Sequence, residues 1–254
     1  MALRAARAGA AVLLESGLLR PGAPREAKAP GDYVTASDRL SEAAVIEVLI
    51  RESPGVAVLA EESGGTATGT MWAVDPLDGT TNFTRGFPVV GVSVALINRG
   101  MPEVGVVLAP YLNLEFTCAR GKGAFLNSDR LPLLGAGEPS KAIIATGFPF
   151  RHKSRIPRHL SVLAGALANF EDVRRAGSAA LDLAWTAAGT FNGFFELGLS
   201  AWDIAAGALL TLEVGATVTD WSGGQGWLRS GDIIAAPPAV HARLLELAAK
   251  APEG

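Results

Sequence analysis

From residue 89 to residue 126, four short β-type runs follow one another at hairpin spacing. From residue 142 onward, strand-type and helix-type runs alternate. This change of pattern limits the possible folds more than any other feature. The runs at 89–98, 103–109, 114–120 and 123–126 are separated by the turn signals Arg99-Gly100, 111–113 and Gly121-Lys122, which predicts a largely antiparallel sheet. Strands at 142–147, 192–197, 216–220 and 232–236 alternate with helices at 155–169, 178–189, 201–214 and 238–250, which predicts layered α/β architecture. Ahead of both, helical spacing predicts helices over 3–19 and from Ser37 or Asp38 to about Glu52, with an exposed loop over 20–37 between them. No free linker marks the boundary near residue 140, so 1–140 and 141–254 read as two tightly packed halves of one unit.

Between the helices and the hairpins lies the stretch Trp72-Ala73-Val74-Asp75-Pro76-Leu77-Asp78-Gly79-Thr80-Thr81-Asn82-Phe83. Asp75 is expected to close a buried strand over 71–75. Pro76 cannot continue the ladder and biases Asp75 away from helix. Gly79 permits a tight turn, and Thr80 and Thr81 are suited to cap a helix starting there. Carboxylates at a strand end beside a helix start suit a divalent cation plus phosphate: acids bind hard cations through oxygen, and free N–H groups bind the anion. An Asx turn explains one of these aspartates but not two around a proline in so apolar a context.

Other acids fall at comparable places. Glu61-Glu62 ends the strand at 56–61, so neighbouring strands ending together would set Glu61 beside Asp75. Asp38 and Asp203 each begin a helix, where capping is a sufficient explanation for either one alone. Glu196 ends the strand before Asp203.

Competing chemistries are poorly supported. The net charge of −3 argues against an electrostatic nucleic-acid binder. Cys118 is the single cysteine, so there is no disulfide framework; a buried, inert thiol in a reducing compartment is expected. His152, His159 and His241 lack metal-ligand spacing. Gly91–Ala95 fails the nucleophile-elbow pattern, and Gly121-Lys122-Gly123 fails the P-loop pattern. The N-terminal apolar run is short and broken by Glu15, so it reads as an amphipathic helix rather than a signal peptide. No apolar run is long enough for a membrane span. A cytoplasmic chain is expected.

Together with Trp202-Asp203-Ile204-Ala205-Ala206-Gly207, Glu61-Glu62-Ser63, Val34-Thr35-Ala36-Ser37-Asp38 and Gly177-Ser178-Ala179-Ala180, the 72–83 motif resembles the inositol monophosphatase family of Mg²⁺-dependent, lithium-sensitive sugar phosphatases, over nearly the whole chain. The resemblance implies an αβαβα five-layer sandwich. It implies that Glu61, Asp75 and the Leu77 carbonyl hold one Mg²⁺, and that Asp75, Asp78 and Asp203 hold a second. Some relatives bind a third near Glu61. Thr80 with Asp38, alongside Glu61, would orient or deprotonate the attacking water. Asp78, Gly79, Thr80, Ala179 and Glu196 would contact substrate, and Lys28 lies where a mobile loop lysine closes the site. The resemblance further implies a homodimer and a sugar or polyol phosphate as substrate, most simply inositol 1-phosphate, with fructose bisphosphate as the main alternative. Neither a membrane nor a nucleic acid is expected as partner, although some bacterial relatives contact the transcription machinery. Arg174 matches a position that relatives often use to position Glu196 or at the dimer contact.

Overall fold

The computed structural model describes residues 1–19, 26–29, 32–66 and 69–252. Two helices open the chain, α1 (Ala2–Ser16) and α2 (Ala36–Glu52), with the short antiparallel strands β1 (Glu26–Ala29) and β2 (Asp32–Val34) between them. The expected loop over 20–37 therefore contains a small hairpin. The side chain of Lys28, on β1, lies outside the described residues.

A seven-stranded sheet follows, in the order β3-β4-β5-β6-β7-β8-β9. Its strands are β3 (Ala57–Ala60), β4 (Thr70–Asp78), β5 (Gly91–Asn98), β6 (Met101–Ala109), β7 (Leu114–Ala119), β8 (Gly123–Leu126) and β9 (Asp129–Arg130). The four-residue helix α3 (Thr80–Phe83) sits between β4 and β5. Only β3 and β4 pair in parallel; every other pair is antiparallel, as the hairpin spacing predicts.

The remainder forms a five-stranded sheet in the order β11-β10-β12-β14-β13. It is built from β10 (Ile143–Thr146), α4 (Ile156–Asn169), β11 (Asp172–Arg174), α5 (Ala179–Ala187), β12 (Gly193–Glu196), α6 (Ala201–Glu213), β13 (Thr217–Thr219), α7 (Trp227–Ser230), β14 (Ile233–Ala236) and α8 (Pro238–Lys250).

The period-2 alternation of the strands produces the layers. On β4 and β5, Trp72, Val74, Val92 and Val94 pack against α1 and α2, while Met71, Ala73, Ala95 and Ile97 face α5 and α6. The other sides of α5 and α6 meet Ala145, Phe194, Ile233 and Ala235 of the second sheet. The far face of that sheet, with Ile144, Phe195, Ile234 and Ala236, is covered by α4 and α8. The result is the αβαβα five-layer sandwich. Its central helices pack closely because Gly207 has no side chain: a Cβ there would come within 2.5 Å of Leu183.

Candidate active site

The site begins where β4 breaks its ladder. The strand does not end at Asp75 as expected but runs to Asp78, and its pairing with β5 slips between Asp75 and Asp78. Pro76 supplies no N–H, so the ladder cannot continue regularly through it. The buried Asp75 carboxylate fills the gap by accepting from Leu77 N–H at 2.9 Å. Gly79 then adopts φ 96° and takes the N-cap position of α3, one residue before the threonines expected to cap it. Its space is confined: a Cβ would lie 2.9 Å from the Val89 carbonyl and 3.2 Å from that of Gly177.

The parallel register of β3 on β4 pairs Ala60 with Val74. Glu61 lies just beyond β3 rather than within it, and its N–H donates to the Val74 carbonyl at 3.1 Å. Its carboxylate thereby reaches the end of the sheet where Asp75 lies. Asp203 arrives from the N-terminal turn of α6, where its carboxylate caps Ser200 N–H at 2.7 Å. Glu61, Asp75, Leu77, Asp78, Gly79, Thr80 and Asp203 line one cavity of about 130 Å³.

Asp78 is held from across the molecule. It accepts from Ser178 Oγ at 2.6 Å and from Ala180 N–H at 2.7 Å, both at the start of α5. Thr80 Oγ1 lies 3.0 Å from Asp38 Oδ1 and 3.2 Å from the Leu77 carbonyl. Asp38 sits at the third helical position of α2, in a capping box whose N-cap is Thr35 and not Ser37 or Asp38. It also accepts from Thr35 N–H at 2.8 Å and Thr35 Oγ1 at 2.6 Å.

Burial pushes the Asp75 carboxyl well above its ordinary range, and the charges of Glu61, Asp78 and Asp203 push it further. Asp78 rises to about 6, chiefly through burial, against the hydrogen bonds from Ser178 and Ala180. Asp203 rises to about 6 through burial and the Asp78 charge. Glu196, at the end of β12, is pushed up to about 8 by burial and then by Asp203. Asp38 is also raised, with burial outweighing its hydrogen bonds. Burial and mutual repulsion thus oppose ionising these groups together. They are hard oxygen donors, and in chemistry they fit a divalent cation. As placed, no three of the described His, Cys, Asp or Glu side chains converge on one ion position.

A second cavity of about 150 Å³ opens beside the first, lined by Asp78, Ala179, Asp182, Glu196 and the loop 147–152. Glu196 lies flat against Gly147: a Cβ there would meet both carboxylate oxygens at 2.2 Å.

Several contributors escaped the sequence reading. Glu42 is buried, and its carboxylate accepts from Glu62 N–H and Ser63 N–H, both at 2.8 Å, holding the turn that carries Glu61. Asp182 is buried on α5, its Oδ1 without a hydrogen-bond partner among the described residues. Arg174 does not reach Glu196; it pairs with Asp172 at 2.5 Å on the exposed edge of the sheet. Arg175 takes that direction instead, its guanidinium 5.7 and 5.8 Å from the ring centres of Phe148 and Phe150. Arg151 pairs with Glu61 at 3.2 Å. Their local sequence carries no signal for these contacts, apart from Glu42 recurring one turn after Asp38 on α2.

Three of the remaining candidates for other chemistry are structural, while His152 lines the second cavity. Cys118 is buried with its thiol toward the Gly105 carbonyl, and burial raises its pKa. His241 lies 2.9 Å from Thr219 Oγ1, and His159 stacks on Phe195. Among the described residues no helix is long and apolar enough to cross a membrane.

Comparison with known proteins identifies the family. The model of the inositol monophosphatase family matches residues 1–253. A protein named Nus factor SuhB, from Pasteurella multocida, is 41% identical over 248 residues, covering 96% of this chain and 93% of its own. Among solved structures, the extragenic suppressor protein suhB from Bartonella henselae superposes with a TM-score of 0.91 at 36% identity, covering 98% of this chain and 97% of its own. An inositol monophosphatase from Anabaena (Nostoc) gives 0.87 at 35% identity, covering 99% and 94%. The chain belongs to the inositol monophosphatase family.

Proposed function

We propose that the protein hydrolyses a phosphate monoester with Mg²⁺, and that its substrate is inositol 1-phosphate or a related polyol phosphate. One observation carries this reading. Four carboxylates from three separated segments, Glu61, Asp75, Asp78 and Asp203, line the same cavity as the Gly79–Thr80 turn. Glu61, Asp75 and the Leu77 carbonyl would hold one ion, and Asp75, Asp78 and Asp203 a second. When bound, the metal acidifies water, screens the phosphate charge and stabilises the leaving alkoxide.

The protein's own groups have separable tasks. With its proton directed to Asp38, the Thr80 hydroxyl offers its lone pairs to a water in the cavity, and Asp38 is placed to receive a proton through it. The backbone at Gly79 and Thr80 faces the phosphate. On the alcohol side, Glu196 and the Ala179 backbone meet the substrate hydroxyls in the second cavity. Ser178 and Ala180 keep Asp78 at the junction of the two cavities.

Phosphate release from a panel including inositol 1-phosphate and fructose bisphosphate, with Mg²⁺, with chelator and with lithium, tests this. Activity should need Mg²⁺, fall with lithium and vanish in Asp75→Asn. Retained turnover in that variant would sink the metal assignment, and a strong preference for fructose bisphosphate would replace the substrate.

A second reading rests on the relatives named Nus factor. In it, the chain also contacts the transcription machinery. The negative net charge bears on direct electrostatic binding of nucleic acid, whereas a contact made through protein needs no basic face. Recovery of RNA polymerase with tagged protein, persisting in Asp75→Asn, would support it; recovery of none would remove it.

A further inference from the structure

The acidic cavity has a cation of its own. Arg151 stands on the loop after β10, ninety positions along the chain from Glu61, and its Nη2 lies 3.2 Å from Glu61 Oε1. The Glu61 side chain is only 11% exposed there, against 41% for Arg151. Arg151 lines both the acidic cavity and the neighbouring one, and its charge also acts on Asp78, Glu196 and Asp203. Arg175, the other arginine lining both cavities, has its flat guanidinium near two phenyl rings, and its charge acts on Asp182 and Glu196 instead.

We propose that Arg151 is the resident counter-ion of the acidic cavity, a positioning residue that holds Glu61 in the metal-free protein and gives up that carboxylate when a divalent cation enters. This rests on the metal reading above. A guanidinium and a divalent cation cannot share one carboxylate edge without repulsion, so each state excludes the other. The displaced side chain needs no new space, because the second cavity is already within its reach. The pair also joins the end of β3 to the loop 147–152, so its rupture on metal entry frees the wall of the alcohol pocket at the moment substrate is needed.

The test is calorimetric titration of the full-length protein with Mg²⁺ alone, beside thermal melting in chelator and in saturating Mg²⁺. Arg151→Gln should melt lower than wild type in chelator, yet bind Mg²⁺ roughly five- to twentyfold more tightly, the size of an ordinary coupling between two ligands of one site. Arg151→Lys, which keeps the charge and loses the fork, should move less than half as far on a logarithmic scale. Unchanged or weaker Mg²⁺ binding by folded Arg151→Gln would overturn the proposal, as would an equal loss of melting temperature with and without Mg²⁺. Absence of any phosphatase activity in wild type would strike the hydrolase reading and leave this result intact.

Discussion

Gly147→Ala would separate the proposed alcohol-binding side of the site from the proposed phosphate side. Gly147 has no positive φ, so alanine fits its backbone. What does not fit is the Cβ, which would lie 2.2 Å from both Glu196 oxygens. The carboxylate must then retreat by roughly 1 Å to reach ordinary contact, and a misplacement of that size costs on the order of a hundredfold. This corresponds to about 2.7 kcal/mol of transition-state binding. In the proposed reading, Glu196 serves only substrates with hydroxyls to hold. The assay is therefore a pair of kcat/KM values with Mg²⁺, on inositol 1-phosphate and on p-nitrophenyl phosphate. The first should fall between about tenfold and a hundredfold, and the second should stay within about threefold. Circular dichroism and melting temperature should show an intact fold. Equal losses on both esters would mean that the substitution damages the shared phosphate site, and no loss on either would mean that Glu196 does not hold the alcohol.

Other perturbations test the remaining parts. Thr80→Val keeps the shape of the turn but removes the hydroxyl that meets Asp38; kcat should fall about a hundredfold with little change in product-phosphate inhibition, and an unchanged kcat would remove Thr80 from the water-handling role. Glu42→Gln should raise the Mg²⁺ concentration for half-maximal activity, because it weakens the anchor on Glu62 N–H and Ser63 N–H; the cost is about 1–3 kcal/mol, read as a rightward shift in a Mg²⁺ titration, and an unshifted curve would refute it. The metal-free protein should lose stability as pH rises from 6.5 to about 8. Over that range Glu196 is already ionised in the unfolded chain, whereas the folded state keeps its proton until pH passes its pKa near 8, so the folded state binds more protons and stability declines as pH rises. The buried His159, held down to about 4 by burial, acts with the opposite sign but only below its unfolded pKa. Melting scans in chelator would show the trend, and a flat or rising profile between pH 6.5 and pH 8 would contradict it.

Sequence patterns carried far in this chain because its signals are local. The hairpin spacing from 89 to 126 and the alternation after 142 specify two sheets and their covering helices, since burying one face of each strand leaves few ways to stack them. The 72–83 motif marks itself through an apolar strand, a proline that interrupts it and a glycine that turns it. Even the sharing of one cavity by Glu61 and Asp75 is foreshadowed by acids at the ends of two neighbouring apolar runs, although Glu61 falls just past its strand and the other strand runs on to Asp78.

The tertiary structure decided the contacts between segments distant in sequence. Gly147 is unremarkable until Glu196 is laid against it, and Glu42 is one helical acid among several until the Glu61–Ser63 turn lands on its carboxylate. Which of two adjacent arginines faces the pocket is set by the edge of the second sheet, where Arg174 pairs with Asp172 and leaves Arg175 to the phenyl rings. Period, turn and cap are short-range properties written in neighbouring residues. The balance of charge in a buried cavity is not, because it depends on which distant groups the packing brings within a few ångströms of one another.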